Sequence, residues 1–215
     1  MAPKLFVDGL TKKYNSFLAL DSISFSLNAG EISILTGLNG SGKTTLLSCI
    51  TGLIRPTRSE VRIDAFDFYK DEIEYRKRLA FLPDSPRFYI ELSAWEHLRF
   101  IAMSTKALDG FDQRAEDLLK SLELWHARHH YPHHYSRGMQ LKLGLAMVLI
   151  HPFEVLLLDE PTSALDQEGL AVLVKTIRQL KNEGVSILMS THDPQLAQDL
   201  GDRHFKISHD KLVEV

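Results

Sequence analysis

The sequence has little cysteine, little excess charge and no long apolar run. Cys49 is the only cysteine among 215 residues, so an intrachain disulfide cannot form and nothing indicates an oxidising compartment. The formal net charge is −3, which gives no electrostatic reason to expect nucleic acid as a partner. The longest apolar stretches, 143–150 and 155–158, are much shorter than the roughly 20 residues that span a bilayer. We therefore expect a cytoplasmic protein without a membrane span of its own.

The second half of the chain alternates between apolar strands and helical patterns. Residues 155–159 (VLLLD) and 185–190 (VSILMS) are almost wholly apolar, which is typical of strands buried on both faces of a parallel sheet. A helix is predicted between them, at about 167–182. This alternation predicts an α/β fold with a mainly parallel sheet.

Two further regions differ from this core pattern. Residues 4–8 and 22–27 alternate between apolar and polar side chains, as half-buried strands do, and predict an N-terminal antiparallel β subdomain. The stretch at about 90–150 is mainly helical in pattern and predicts an α-helical subdomain inserted into the core. We interpret residues 1–215 as one domain that contains both.

Residues 37–44 read Gly-Leu-Asn-Gly-Ser-Gly-Lys-Thr and match the phosphate-binding pattern G-x-x-x-x-G-K-[ST] at every fixed position. Glycines let successive backbone N–H groups point at phosphate oxygens, and the start of the following helix adds a positive partial charge. Lys43 supplies a full charge for the β and γ phosphates, and the Thr44 hydroxyl can bind Mg²⁺. The alternative, a chance glycine-rich turn, does not explain the apolar strand before the loop and the amphipathic helix after it.

The apolar strand at 155–159 ends in two carboxylates, Asp159 and Glu160. In phosphate-loop ATPases an aspartate in this place helps to hold Mg²⁺, and we assign that role to Asp159. Glu160 is then a candidate general base for the attacking water. The alternative is that both carboxylates merely cap the turn at Pro161.

The motifs between Tyr14 and His192, and the order in which they follow one another, resemble those of the ATPase subunits of ABC transporters. The resemblance implies a phosphate-loop NTPase core, an adenine-stacking role for Tyr14, and a γ-phosphate-reading role for His192. Residues 135–140 (YSRGMQ) are similar to the family signature, usually LSGGQ, although a serine N-cap of an ordinary helix is the alternative for this segment alone. The residues that the resemblance assigns are Gly37, Leu38, Asn39, Gly40, Ser41, Gly42, Lys43, Thr44 and Thr45 for ATP, Ser136, Arg137, Gly138, Met139 and Gln140 for the signature, and Ser163, Ala164, Leu165 and Asp166 for a dimer-contacting loop.

The same resemblance implies how the protein works. Two ATPase subunits, either two copies or a copy and a sister subunit, pack head to tail, and each ATP with its Mg²⁺ lies between the phosphate loop of one and the signature of the other. The dimer drives transport, in the direction of export for the YSRGM form of the signature, through transmembrane permease subunits on a separate chain at the inner face of the cell membrane. The alternative is a non-transport ABC-type ATPase in cofactor assembly or in another soluble complex. A phosphate-loop kinase is disfavoured, because a kinase needs no signature segment.

The sequence departs from the family pattern at three places. Arg137 stands where glycine is usual, and Met139 where glutamine is usual. Asp84 stands where the family has a glutamine near Mg²⁺, and its carboxylate remains a candidate Mg²⁺ ligand.

The segment that follows Asp84 lies where the family contacts its membrane partner. Phe88, Tyr89 and Trp95 are candidates for that contact, but the helical spacing of Trp95 and Leu98 favours the core for these two. Five histidines are grouped within residues 126–134. We interpret them chiefly as solvated surface, with metal binding as the alternative. They are His126, His129, His130, His133 and His134.

Overall fold

The computed structural model describes residues 2–215, which form two compact units. The first unit contains residues up to Phe81 together with 153–160 and 177–215. The second unit contains residues 82–152 and 161–176.

A four-stranded antiparallel sheet lies in the first unit, as the N-terminal pattern predicts. Its first two strands are longer than the predicted segments, because they stay paired up to Tyr14 opposite Phe17. Asn15 occupies the left-handed region at φ 52° in the two-residue turn between them, a conformation that asparagine tolerates in hairpins. In the order β2-β1-β4-β5, the sheet contains β1 Leu5–Tyr14, β2 Phe17–Leu27, β4 Arg58–Ile63 and β5 Phe66–Asp67.

A second, six-stranded sheet carries the predicted parallel core. The central strands β9, β3, β8 and β7 are parallel, and the C-terminal hairpin strand β10 runs antiparallel to β9. Every side chain of β7 and β8 is buried, in agreement with their apolar sequences. In the order β10-β9-β3-β8-β7-β6, the strands are β10 Lys211–Glu214, β9 Arg203–Ser208, β3 Ile32–Thr36, β8 Ser186–Ser190, β7 Val155–Asp159 and β6 Leu79–Leu82.

The helices of the second unit begin where the sequence supplies caps. Ser93 and Glu96 form a capping box at the start of the first of them, with the Ser93 N–H donating to Glu96 Oε2 at 2.8 Å. The helices of this unit are α3 Ala94–Ser104, α4 Phe111–Ser121 and α5 Arg137–Leu149; α6 Gln167–Asn182 begins in the second unit and ends in the first, which also holds α1 Lys43–Ile50, α2 Glu72–Lys77 and α7 Pro194–Leu200.

The aromatic residues of the second unit divide between core and surface. The Trp95 ring contacts the rings of Phe111 and Trp125, with centroids 5.2 and 6.0 Å away, and Leu98 is fully buried. The prediction that Leu98 belongs to the core is confirmed, whereas Trp95 is only half-buried against these rings. Tyr89, in contrast, is exposed.

The isolated cysteine and the histidine group occupy opposite environments. Cys49 is buried in α1, where burial raises the pKa of its thiol to about 11, so its role as a small core residue is confirmed. All five grouped histidines are exposed, and within residues 2–215 no set of three His, Cys, Asp or Glu side chains is arranged to hold a metal ion. In the same range, no helix is both long and apolar enough to cross a membrane.

Candidate functional site

The loop between β3 and α1 is shaped by glycines that no other residue type could replace. Gly37 and Gly42 lie in the left-handed region, at φ 153° and 107°, which side chains with a Cβ rarely adopt. A Cβ on Gly37 would lie 2.5 Å from Ser41 Oγ and 2.8 Å from the Ile207 carbonyl oxygen. The chain therefore curls tightly at 37–42 and leads directly into the helix.

The open side of this loop offers hydrogen-bond donors without acceptors. No side chain caps the N-terminus of α1 at Gly42, so the first backbone N–H groups of the helix are available to an anion. The Ser41 hydroxyl is buried, and no group within residues 2–215 is hydrogen-bonded to it. Lys43 is also buried, and its Nζ donates to the Gly37 carbonyl at 2.9 Å. A buried hydroxyl without a partner, next to a helix N-terminus and a lysine, fits a phosphate group.

Oxygen donors suited to Mg²⁺ lie beside the loop. The Thr44 hydroxyl contacts Asp159 Oδ2 at 2.7 Å. The other carboxylate oxygen, Asp159 Oδ1, accepts a 2.6 Å hydrogen bond from the buried Ser190 hydroxyl. Hydroxyl and carboxylate oxygens are the ligands that Mg²⁺ prefers, so the predicted pair Thr44 and Asp159 fits this ion.

Glu160 is held in a strained backbone conformation between two other predicted residues. Its φ of 47° is unusual for a residue with a side chain, and such strain is concentrated at functional sites. Its Oε1 lies 3.6 Å from Lys43 Nζ, and its Oε2 lies 2.8 Å from His192 Nδ1. Lys43, Glu160 and His192 therefore form one row, with a carboxylate between a cation and an imidazole.

Ser190 is a residue of this site that the sequence patterns do not reveal. It ends β8 directly opposite Asp159, and its hydroxyl also accepts a 2.9 Å hydrogen bond from the Glu160 N–H. One serine thus orients both carboxylate residues. The available signal is its position, as a polar residue at the carboxyl end of an apolar strand in a parallel sheet.

Two aromatic side chains line the cleft next to the loop. The cleft has a volume of about 250 Å³ and is lined by Tyr14, Phe17, Ala19, residues 38–45 and Glu160. Tyr14 and Phe17 are both exposed there, and Lys12 Nζ lies 4.6 Å above the Tyr14 ring. Tyr14 is predicted from the sequence, whereas Phe17 becomes a candidate only because the β1–β2 turn places it beside Tyr14.

The signature segment begins α5 in the second unit. Ser136 is the N-cap of this helix, and its hydroxyl accepts the Met139 N–H at 3.2 Å. The N-cap interpretation of Ser136 is therefore correct as local structure. A Cβ on Gly138 would lie 2.8 Å from the Ala164 carbonyl oxygen. The signature segment and the loop at 163–166 consequently pack so closely that only glycine fits at 138.

The loop at 163–166 is fixed to the helices around it. Asp166 Oδ1 accepts the Gly169 N–H at 2.8 Å, and Lys142 Nζ lies 3.7 Å from the same oxygen. The Gly169 hydrogen bond and the Lys142 charge lower the pKa of Asp166. The buried Lys142, which the sequence patterns do not single out, also binds Glu123 at 2.9 Å. Gln140, at the other end of the signature, donates to the Pro132 carbonyl at 3.0 Å.

Asp84 lies in the second unit with two other predicted residues. Its Oδ1 accepts a 2.6 Å hydrogen bond from the Ser163 hydroxyl and a 3.2 Å hydrogen bond from Arg137 Nη2. Its role as a Mg²⁺ ligand stays a prediction.

The loop at 37–42 and the carboxylates at the end of β7 define a phosphate-loop nucleotide-binding protein, and comparison with known proteins gives its family. The ABC transporter family model matches residues 20–163, which is more than half of the chain. The ABC transporter ATP-binding protein YdbJ of Bacillus subtilis is 35% identical over 94% of this chain, and the bacitracin transport ATP-binding protein BcrA of Bacillus licheniformis is 33% identical over 95%. The chain therefore belongs to the ABC transporter family, as one of its ATP-binding cassettes.

Solved structures agree with this family. An ATP-binding subunit of an ABC transporter superposes with a TM-score of 0.93 at 29% identity, covering 98% of this chain and 89% of that chain. A dimeric ATP-binding cassette in a post-hydrolysis state, bound to ADP and Pi, gives a TM-score of 0.89 at 26% identity, covering 98% and 97%.

This chain is shorter than several of its relatives. It spans 65% of YdbJ, 67% of BcrA and 33% of YkoD, an HMP/thiamine import ATP-binding protein of Bacillus subtilis that is 35% identical over 84% of this chain.

Proposed function

We propose that the chain binds ATP and Mg²⁺ at residues 37–45 and hydrolyses the bond between the β and γ phosphates. The observation that carries this proposal is the row of Lys43, Glu160 and His192 beside the Thr44–Asp159 pair. Lys43 and the N–H groups of α1 bind the phosphates, and the Ser41 hydroxyl gains an acceptor. Mg²⁺, when bound, neutralises charge on the phosphate oxygens.

Glu160 is the general base in this proposal. Its carboxylate accepts a proton from the water that attacks the γ phosphorus, while the bond to the bridging oxygen of ADP breaks. His192 holds the carboxylate through the 2.8 Å contact to Oε2, and Ser190 holds the backbone of Glu160 from the other side. A positioned base of this kind contributes about 10²- to 10⁴-fold to a rate.

The signature segment completes the site of a second subunit in this proposal. Ser136 and Arg137 are exposed at the N-terminus of α5, where backbone N–H groups and the helix dipole favour an anion. Ser163 and Asp166 are exposed beside them. The dimeric ADP-bound cassette, at 26% identity, supports the pairing of two cassettes. We propose that the pair is head to tail, with ATP between the phosphate loop of one and the signature of the other.

An exposed apolar group in the second unit is the proposed contact to transmembrane permease subunits. Tyr89, Ile90, Phe100 and Met103 are all exposed, and Phe88 packs beside them against His97, with ring centroids 5.5 Å apart. Such clusters on a monomer often mark protein interfaces. We place the chain on the cytoplasmic side of a membrane, docked there on separate permease subunits.

We propose export as the direction of transport, because the YSRGM form of the signature is similar to that of exporters. The names of two relatives differ on this point, with bacitracin transport for BcrA and HMP/thiamine import for YkoD. Co-purification of the tagged chain from its native membrane, with the substrate of the recovered permease assayed in vesicles, decides between the two directions.

The ATPase proposal is tested by phosphate release from the purified chain with ATP and Mg²⁺. A composite site predicts that activity per chain rises with protein concentration and saturates as dimers form. Activity that is independent of concentration in a chain shown to be monomeric would contradict the composite site, and no activity at any concentration would contradict the ATPase proposal itself.

A further inference from the structure

Three side chains of the second unit, from three separate segments, meet at one carboxylate oxygen. Asp84 follows β6, Arg137 is the first residue of α5, and Ser163 begins the loop at 163–166. Asp84 Oδ1 accepts from Ser163 Oγ at 2.6 Å and from Arg137 Nη2 at 3.2 Å, and Arg137 Nη2 also donates to Ser163 Oγ at 3.3 Å. We call these residues the Asp84 triad.

The triad closes a triangle in which the serine hydroxyl has a fixed orientation. Its hydrogen points at Asp84, and its lone pair receives the Arg137 Nη2 hydrogen. The same two segments also touch through backbone, because a Cβ on Gly138 would lie 2.8 Å from the Ala164 carbonyl oxygen. Side chains and backbone therefore both fix α5 against the loop at 163–166.

The negative charge of Asp84 compensates an unfavourable positive charge at the N-terminus of α5. Arg137 puts a cation on the first turn of α5, where the helix dipole is already positive and disfavours it. Asp84 supplies the opposite charge, and Arg137 side-chain atoms approach it from the solvent side, with 63% of the side chain exposed. Exposed ion pairs of this kind contribute little to folding stability, so the value of the contact lies in where it holds the guanidinium.

We infer that Asp84 is a positioning residue for the signature of the neighbouring ATP site. By holding Arg137 and Ser163 together, it sets the places of Ser136, Gly138 and the loop at 163–166 relative to one another. This inference rests on the proposed function, in which these groups face the ATP of a second subunit. Asp84 acts on that face indirectly, through Arg137 and Ser163.

The test compares steady-state ATP hydrolysis with nucleotide binding by the isolated chain, in four variants and one matched control. Asp84→Ala removes the acceptor, and about 10-fold loss of kcat is expected, with KM for ATP within about 2-fold of the wild type. Asp84→Asn keeps an oxygen that can accept both hydrogen bonds but loses the charge that compensates Arg137, and its kcat is expected to fall by about 3-fold, between the wild type and Asp84→Ala. Ser163→Ala, a smaller change in the same contact, is expected to lower kcat by about 3-fold.

The double variant Asp84→Ala with Arg137→Ala tests whether the residues act as a unit. The expected kcat is no lower than that of Asp84→Ala alone, because the uncompensated guanidinium is gone and interacting residues are not additive. Asp109→Ala removes an exposed carboxylate of the same unit and is the matched control, expected to behave like the wild type. Thermal unfolding of each variant identifies any loss that follows from misfolding, in which case Ser163→Ala decides the question.

Three results would overturn the inference. An approximately 10-fold higher Mg²⁺ requirement in Asp84→Ala would show that this carboxylate serves the metal. A kcat of the double variant well below that of Asp84→Ala would show that Arg137 acts independently of Asp84. Unchanged kcat in both Asp84→Ala and Ser163→Ala would show that the contact has no part in hydrolysis. Absence of hydrolysis in the wild-type chain would instead contradict the proposed function, so the two failures are distinguishable.

Discussion

The charged candidate residues of the two units differ sharply in exposure, although the first unit also holds His192, whose side chain is 69% exposed. In the first unit, 7% of Lys43, 2% of Asp159 and 16% of the Glu160 side chain are exposed, and each of these residues is bonded to another site residue or to the loop. In the second unit, 63% of the Arg137 and 67% of the Asp166 side chain are exposed. Buried charges are stable only with partners, and the first unit supplies them within one chain. The second unit exposes its charged groups to solvent, where they are available to a binding partner.

The largest effect is expected from the half-buried Glu160 carboxylate of the first unit. Glu160→Gln removes the base and keeps the shape, so hydrolysis should fall by about 10²-fold or more, while ATP binding remains. Equilibrium binding of a fluorescent ATP analogue and steady-state phosphate release measure the two separately. The control is Glu168→Gln, an exposed glutamate of α6, which should leave both unchanged. Normal turnover in Glu160→Gln would falsify the role given to this residue.

An intermediate effect is expected from the exposed surface of the second unit, at Ser136. Its hydroxyl caps α5, and the proposal also directs it at a second subunit's ATP. Glycine is tolerated at an N-cap at a cost of only a few tenths of a kcal/mol, whereas alanine costs about 1 kcal/mol. Ser136→Gly and Ser136→Ala should therefore lower hydrolysis alike, by about 10-fold, and differ in thermal stability.

Nucleotide binding by the isolated chain should be unchanged in both Ser136 variants, because binding belongs to the first unit. Phosphate release, melting temperature and analogue binding provide the three measurements. If the loss of hydrolysis follows the loss of stability from one variant to the other, Ser136 is a helix cap and nothing more.

The sequence indicates the residues of the first unit's site because each of them lies in a short motif that is recognisable on its own. The phosphate loop needs glycines where the backbone turns to φ 153° and 107°, and the spacing to Lys43 and Thr44 follows from the start of α1. Asp159 and Glu160 are equally recognisable, because an apolar strand that ends in two carboxylates is rare. The fold class follows from the same apolar strands, β7 and β8.

The sequence does not reveal which distant segment the side chain of a single serine contacts. Ser190 reaches Asp159 because of strand register, across 31 residues, and Ser163 reaches Asp84 across 79 residues. No sequence pattern reveals either pair, because a single serine is compatible with any surface position or helix cap. Phe17 is a third case, because only the pairing of β1 with β2 decides that the strands extend to Tyr14 and turn there.

A smaller effect in the first unit is expected from the two aromatic residues of the cleft. Stacking of a base on an aromatic ring contributes about 1–3 kcal/mol, so Tyr14→Ala should raise KM for ATP about 5-fold or more while kcat stays near the wild-type value. Phe17→Ala should act in the same direction, because both rings line the cleft. Phe100→Ala removes an exposed ring of the second unit and is the control for loss of aromatic surface.

Saturation kinetics with ATP, repeated with an inosine triphosphate substrate, provide the measurement. A Tyr14 variant whose KM is unchanged for both nucleotides would show that the cleft does not bind the base. An effect of Phe17→Ala alone would transfer the stacking role from Tyr14 to Phe17.

The smallest effect concerns the contact that holds the segment around Tyr89, part of the exposed apolar group of the second unit, in place. His97 is buried, its Nε2 accepts the Tyr89 N–H at 2.9 Å, and its Nδ1 donates to the Ser93 carbonyl at 2.8 Å. Protonation would put a hydrogen on Nε2, facing the Tyr89 N–H. Burial is the main cause that lowers the pKa of His97 below its usual 6.5, while the hydrogen bond to the Ser93 carbonyl and the nearby Glu96 charge oppose this shift.

Because the folded pKa lies below the unfolded one, the unfolded chain binds more protons between the two values, so this contribution to stability is present above about pH 6.5 and is lost as the pH falls. The free energy of unfolding should therefore decrease below this pH, by at most about 1.4 kcal/mol per pH unit from one histidine. His97→Gln should flatten this dependence, and His126→Gln, which changes an exposed histidine of the same unit, should not. Urea unfolding at several pH values measures the slopes. Equal slopes in the wild type and His97→Gln would mean that the Tyr89 segment is held independently of this imidazole.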